Sequence, residues 1–137
     1  MTVSEAIQYV LTHGATLIPL VPAVRIRVPG AWEGMARPYV QHQPVAPYPM
    51  QTHSGRVALV VWDSYQVDVY SDDYPTGEVA ANAVIADLEG THAVGAASPP
   101  NDWVEAYWLP GSFYLGHEDD TNLEHFALEF RVAKPLN

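Results

Sequence analysis

Apolar residues recur at two periods along this chain, and each change of period marks a new element. Over Thr2–His13, the residues Val3, Ala6, Ile7, Val10 and Leu11 fall at i, i+3, i+4, i+7 and i+8, one face of a helix. Thr2 with Glu5 three residues on is a capping-box pattern, and Gly14 is a natural stop. From Val24 to Val28 the period falls to two. Val24, Ile26 and Val28 alternate with Arg25 and Arg27, which predicts a short strand with one basic face. Pro29–Pro38, with Gly30 and Gly34 inside it, reads as a loop. Tyr39–Gln43 predicts a second strand closed by Pro44, and the Pro-rich stretch at about 44–55 predicts a flexible arm or hairpin connector.

Arg56–Tyr70 carries the strongest strand signal. Tyr65, Val67 and Val69 line one side, and Gln66, Asp68 and Tyr70 the other. The run is long for one strand, so a bend, bulge or hairpin tip is expected at Asp63-Ser64. Ser71–Pro75 reads as a helix entry, with Asp72 and Asp73 as N-terminal acids and Pro75 in the first turn. Thr76–Glu89 predicts an alanine-rich helix with a stripe of Val79, Ala80, Ala83, Val84 and Leu88, ended by Gly90. Thr91–Asp102 reads as a loop. Trp103–Leu109 and Phe113–Gly116 predict two strands joined by the turn Pro110-Gly111, and His117–Asn122 an acidic tip. In the last strand Phe126, Leu128, Phe130 and Val132 alternate with His125, Ala127, Glu129 and Arg131. The expected fold is α+β: a single domain over 1–137, mainly antiparallel sheet packed by two helices, in the order α-β-β-β-α-β-β-β.

Composition narrows the function classes. The 137 residues include no cysteine, which removes disulfides, thiolate nucleophiles and Cys-based metal sites. The net charge of −10 opposes phosphate binding, so affinity for nucleic acid is not expected. No apolar run approaches a membrane span and no basic segment precedes an apolar one, so a soluble protein not exported by the Sec route is expected. The charge is unevenly divided. Residues 1–60 hold four arginines against two glutamates, while residues 61–137 hold Arg131 and Lys134 against fourteen acids. Such a split suits solubility, and it also suits head-to-tail contacts between a basic face and an acidic one.

Catalytic chemistry finds little support. None of His13, His42, His53, His92, His117 and His125 sits in a metal-binding pair, and His117 with Glu118, Asp119 and Asp120 lacks the spacing of a calcium loop. Asp63 and Asp68 fall on opposite faces of a regular strand, and Ser54 beside His53 has no orienting acid nearby. No phosphate loop, dinucleotide fingerprint or nucleophile elbow occurs, so neither catalysis nor a cofactor nor a metal is expected. Trp103, Tyr107, Trp108, Phe113 and Tyr114 crowd one short stretch, more rings than one small face hides, which points some of them to a subunit contact.

The order of these segments resembles a known family. The residues that carry the resemblance are the N-terminal helix, the Arg-flanked strand and the loop ending Arg37-Pro38-Tyr39-Val40. Tyr65-Gln66-Val67-Asp68-Val69-Tyr70-Ser71 follows, then an acidic link, Glu78–Leu88 and the strand Asn122–Val132. Over about residues 5–133 the chain is similar to the tail completion, or tail terminator, proteins of long-tailed phages and gene transfer agents. The resemblance implies a non-enzymatic virion protein made in the host cytoplasm and placed at the head-proximal end of the tail. It implies a six-fold ring of identical copies that stops growth of the tail tube and offers a docking face to the head connector or stopper. DNA would pass through without specific binding, and no membrane is involved. For such a ring the candidate surfaces are a basic one, Arg25, Arg27 and Arg37, and an acidic one, Asp68, Asp72, Asp73, Glu118, Asp119 and Asp120. Trp103, Tyr107 and Trp108 are further contact candidates. Another connector component, an adaptor or stopper, and a small enzyme or ligand-binding domain are the alternatives.

Overall fold

The computed structural model describes residues 3–30, 35–47, 60–89, 105–111 and 113–135. Two helices, α1 (Val3–His13) and α2 (Tyr74–Leu88), pack on one face of a six-stranded sheet. The strands are β1 (Ile26–Arg27), β2 (Tyr39–Pro47), β3 (Val60–Ser71), β4 (Glu105–Leu109), β5 (Tyr114–Glu118) and β6 (Leu123–Pro135). The spatial order is β1-β2-β3-β6-β4, with β5 also beside β6. Only β1 and β2 are parallel; the other pairs are antiparallel. This is the expected α+β order of elements.

The core lies between the helices and the sheet face they cover. Val3, Ala6, Ile7, Val10 and Leu11 of α1 are all buried, the five positions set by the 3.6-residue period. They meet Val40, Tyr65, Val67, Val69, Phe126, Leu128, Phe130 and Val132, the same-face positions of β2, β3 and β6. Each fully buried Phe or Leu in this layer stabilises the fold by roughly 1.5–3 kcal/mol relative to an exposed one.

Helix α2 starts on an N-cap. The Asp73 carboxylate accepts from the Thr76 main-chain N–H at 3.1 Å and from its hydroxyl at 3.0 Å, with Pro75 in the first turn. Its buried face is Gly77, Ala80, Ala81, Ala83, Val84 and Leu88, and Val79 is 52% exposed. The stripe expected through Val79 is thus turned toward the smallest side chains. Close packing explains the turn: a methyl at Gly77 would overlap the Phe126 ring and the Ser71 hydroxyl. At the other end, Asp87 accepts from the main-chain N–H groups of Leu17 at 2.9 Å and Thr16 at 3.3 Å, tying α2 to the chain leaving α1.

Four strand expectations change. β3 runs without the bend expected at Asp63-Ser64. Its register with β6 is unbroken from Val60↔Pro135 to Ser71↔Glu124, because a central strand is held by ladders on both sides. β2 does not stop at Pro44 but continues to Pro47, with the irregularity between Pro44 and Pro47 accommodating the missing N–H. β1 is only two residues long. Val24 sits in a single 3-10 turn (Ala23–Arg25), and of the three alternating apolar positions only Ile26 is buried. Finally, β4 and β5 do not fold back on each other at Pro110-Gly111. Both lie antiparallel along the same margin of β6, Leu109 opposite Glu129 and Tyr114 opposite Phe126, as one interrupted edge. The hairpin is β5–β6, and its strands shift register at Gly116, whose φ of 123° suits glycine. Thr2, most of the 44–55 arm, Arg56–Leu59, Gly90, the 91–102 loop and Trp103 lie outside the described residues.

Candidate assembly surface

The sheet has two faces of different chemistry, and each carries one histidine-centred network. On the covered face β2 alternates Val40 and His42 inward, so His42 is fully buried. Gln8 Nε2 donates to the Ile26 carbonyl at 2.7 Å, which turns Gln8 Oε1 toward His42 Nε2 at 2.6 Å. His42 Nε2–H therefore donates to Gln8, and Nδ1 accepts the Tyr65 hydroxyl at 2.7 Å. Burial lowers the His42 pKa from 6.5 to about 4 and pushes the Tyr65 phenol up to about 12, with a Ser4 hydrogen bond acting in the opposite sense on Tyr65. The result is a neutral, internally satisfied chain of polar groups linking α1, β1, β2 and β3. It is built for positioning.

The second network lies on the face the helices leave uncovered. His125 Nε2 meets Asp68 Oδ1 at 2.8 Å, and its Nδ1 meets Glu118 Oε1 at 2.9 Å. Gln66 Nε2 also donates to Asp68 Oδ1 at 2.8 Å. Tyr70 stacks on His125 with ring centroids 4.3 Å apart and on Tyr39 at 4.9 Å. Burial, then the nearby Asp68 and Glu118 carboxylates and Tyr39, raise the Tyr70 pKa. Next to it, Glu124 accepts from the Tyr114 hydroxyl, the main cause of its lowered pKa, and pairs with His117 at 3.1 Å. The His125 contacts with Asp68 and Tyr70 tie the β5–β6 hairpin to β3, and the Glu124 contacts join the two strands of the hairpin.

The candidate interface residues sit in different surroundings. Asp68 is only 2% exposed, and its Oδ1 is engaged inside the chain by Gln66 and His125. Asp72 and Arg37, expected on opposite surfaces, pair with each other at 2.7 Å, and Asp73 caps α2. Trp108 is half-buried and packs edge-on to Phe113. Glu118 is held by His125 and by the Thr121 hydroxyl at 3.1 Å. Arg25 is half-buried, while Arg27, Asp119, Asp120 and Tyr107 remain exposed.

Among the described residues no group of three His, Cys, Asp or Glu side chains is placed to hold a metal ion. No helix among them is long and apolar enough to cross a membrane. The sheet ends on β1 at one margin and on the β4–β5 line at the other.

This fold has a known counterpart. The fold matches a chain in the virion of a native gene transfer agent particle, with a TM-score of 0.75 over 98% of this chain and 96% of that one, at 18% sequence identity. The likeness is one of fold, and it runs the length of both chains. No family model matches the sequence, and no curated protein sequence does.

Neither histidine network is legible as a site in the sequence. The signal for the first is a polar residue at an inward position of a strand, His42 two residues after Val40. For the second it is Asp68 and His125, 57 residues apart, which only the β3–β6 register brings together.

Proposed function

We propose that the protein is a structural virion component of the tail-terminator type: a ring of identical copies that caps the tail tube and presents a docking face to the head connector. The carrying observation is the fold shared with a gene transfer agent virion chain over nearly the whole of both chains. Two features of the molecule support the same reading. Both polar networks are spent on holding elements in place, with donors and acceptors paired off within the chain. The charge also suits a conduit: at −10 overall, a ring of such copies repels DNA phosphates and leaves the passing duplex unbound. The protein acts by fitting, and it transforms no substrate.

In this reading the assembled particle is a ring of six 15.1 kDa copies on the head-proximal end of the tail. Deleting the gene tests it. The expected result is tail tubes of irregular, excessive length that are not joined to full capsids. Normal tails on full capsids after deletion rule the proposal out.

A further inference from the structure

The two margins of the sheet differ in charge as well as in strand. At the β1 margin Val24 is 65% exposed and Val28 49% exposed, beside Arg25 and Arg27. Arg27 Nε donates to the Val24 carbonyl at 3.0 Å and Arg25 Nη1 to the Arg37 carbonyl at 3.3 Å. Among the described residues these side chains are held by main-chain acceptors and neither guanidinium is paired with a carboxylate. Between α1 and this margin lies a groove of about 390 Å³ lined by Ser4, Glu5, Gln8, Arg27 and Val28. At the opposite margin β5 presents Leu115, 59% exposed, and the hairpin tip presents Asp119 and Asp120.

Main-chain strand addition is a poor way to join these margins. β1 offers only two residues, and the Ile26 carbonyl is already taken by Gln8. At the far margin Glu89 accepts from the Trp108 main-chain N–H at 2.5 Å. Edges blocked in this way resist uncontrolled pairing and leave side chains to make the contact.

We infer that, within the ring proposed above, the β1 margin of one copy receives the β5 margin of the next. Leu115 enters the groove beside Val28, and Asp119 and Asp120 face Arg25 and Arg27. The occupant is a second copy of this chain, chosen by charge complementarity: a chain of −10 repels its copies except where the arginines of this margin meet the exposed tip acids. Because the two margins are different and opposite, the contact is head-to-tail, the kind that closes into a ring.

The inference rests on the ring reading, and the test separates the two. Arg27→Glu and Asp120→Lys are exposed substitutions expected to leave the thermal midpoint unchanged. Each alone should weaken self-association about tenfold or more at low salt, measured by sedimentation in the presence of tail tubes, and the double variant should recover most of it. The absence of native cysteine permits a second readout. A Val28→Cys/Leu115→Cys chain should give an oxidised ladder up to the full ring, and each single variant none. If wild-type rings form on tubes but the singles associate normally, or the ladder fails, the margin assignment is wrong and the ring stands. If wild-type protein forms no ring on tubes, the ring reading falls and this inference with it.

Discussion

His42 is a titratable group folded into a place where it must stay neutral. Its folded pKa of about 4 lies below its ordinary 6.5, so the unfolded chain takes up the proton first on acidification. Its contribution is complete above pH 6.5 and is lost as pH falls toward 4, at roughly 1.4 kcal/mol per pH unit. Between pH 7 and pH 5 this amounts to about 2 kcal/mol of stability. Chemical denaturation of wild type and His42→Gln at both pH values checks it: the variant should be less stable at pH 7 and lack that part of the pH slope. Equal slopes would show that His42 is not the responsible group. Asp68 makes the complementary case. Asp68→Ala removes the partner of His125 Nε2 and of Gln66 Nε2, and about 2–3 kcal/mol of stability should be lost in the same assay, as a folding rather than an association defect.

At the level of elements, what was legible in the sequence was what repeats. The five buried positions of α1 and the alternation of β6 follow from periodicity, because each has one apolar face turned to one core. The short strands are different. β1 exists because Ile26 finds a partner in Val40, and β2 passes Pro44 because β3 lies beside it; neither fact is local. The same reason hid the surroundings of several candidate charges. Asp68, Asp72 and Arg37 look like free charges along the chain, and only tertiary contacts show two of them paired together and the third buried. Helix α2 gives two predictions at this scale. Gly77→Ala should destabilise by roughly 1–3 kcal/mol despite the better helix propensity of alanine, since the added methyl meets Phe126 and Ser71. Asp73→Ala removes the N-cap and should cost about 1 kcal/mol. Thermal midpoints of the two variants measure both; a Gly77→Ala chain as stable as wild type would contradict the packing described here.

For the molecule as a whole, the fold class and the order of its elements could be read in advance. A net charge of −10 says that copies repel, and the proposed ring relieves that repulsion where arginines on one margin face acids on the other. Salt should therefore act on assembly more than on folding. Raising ionic strength weakens contacts between exposed charges while leaving the buried networks largely untouched. The central claim is that copies of this chain close around the end of a tail tube. Electron microscopy of growing tubes, with and without the purified protein, measures it directly. The account predicts a single annulus on the tube end and arrest of further growth; bare ends on tubes that keep lengthening would contradict it.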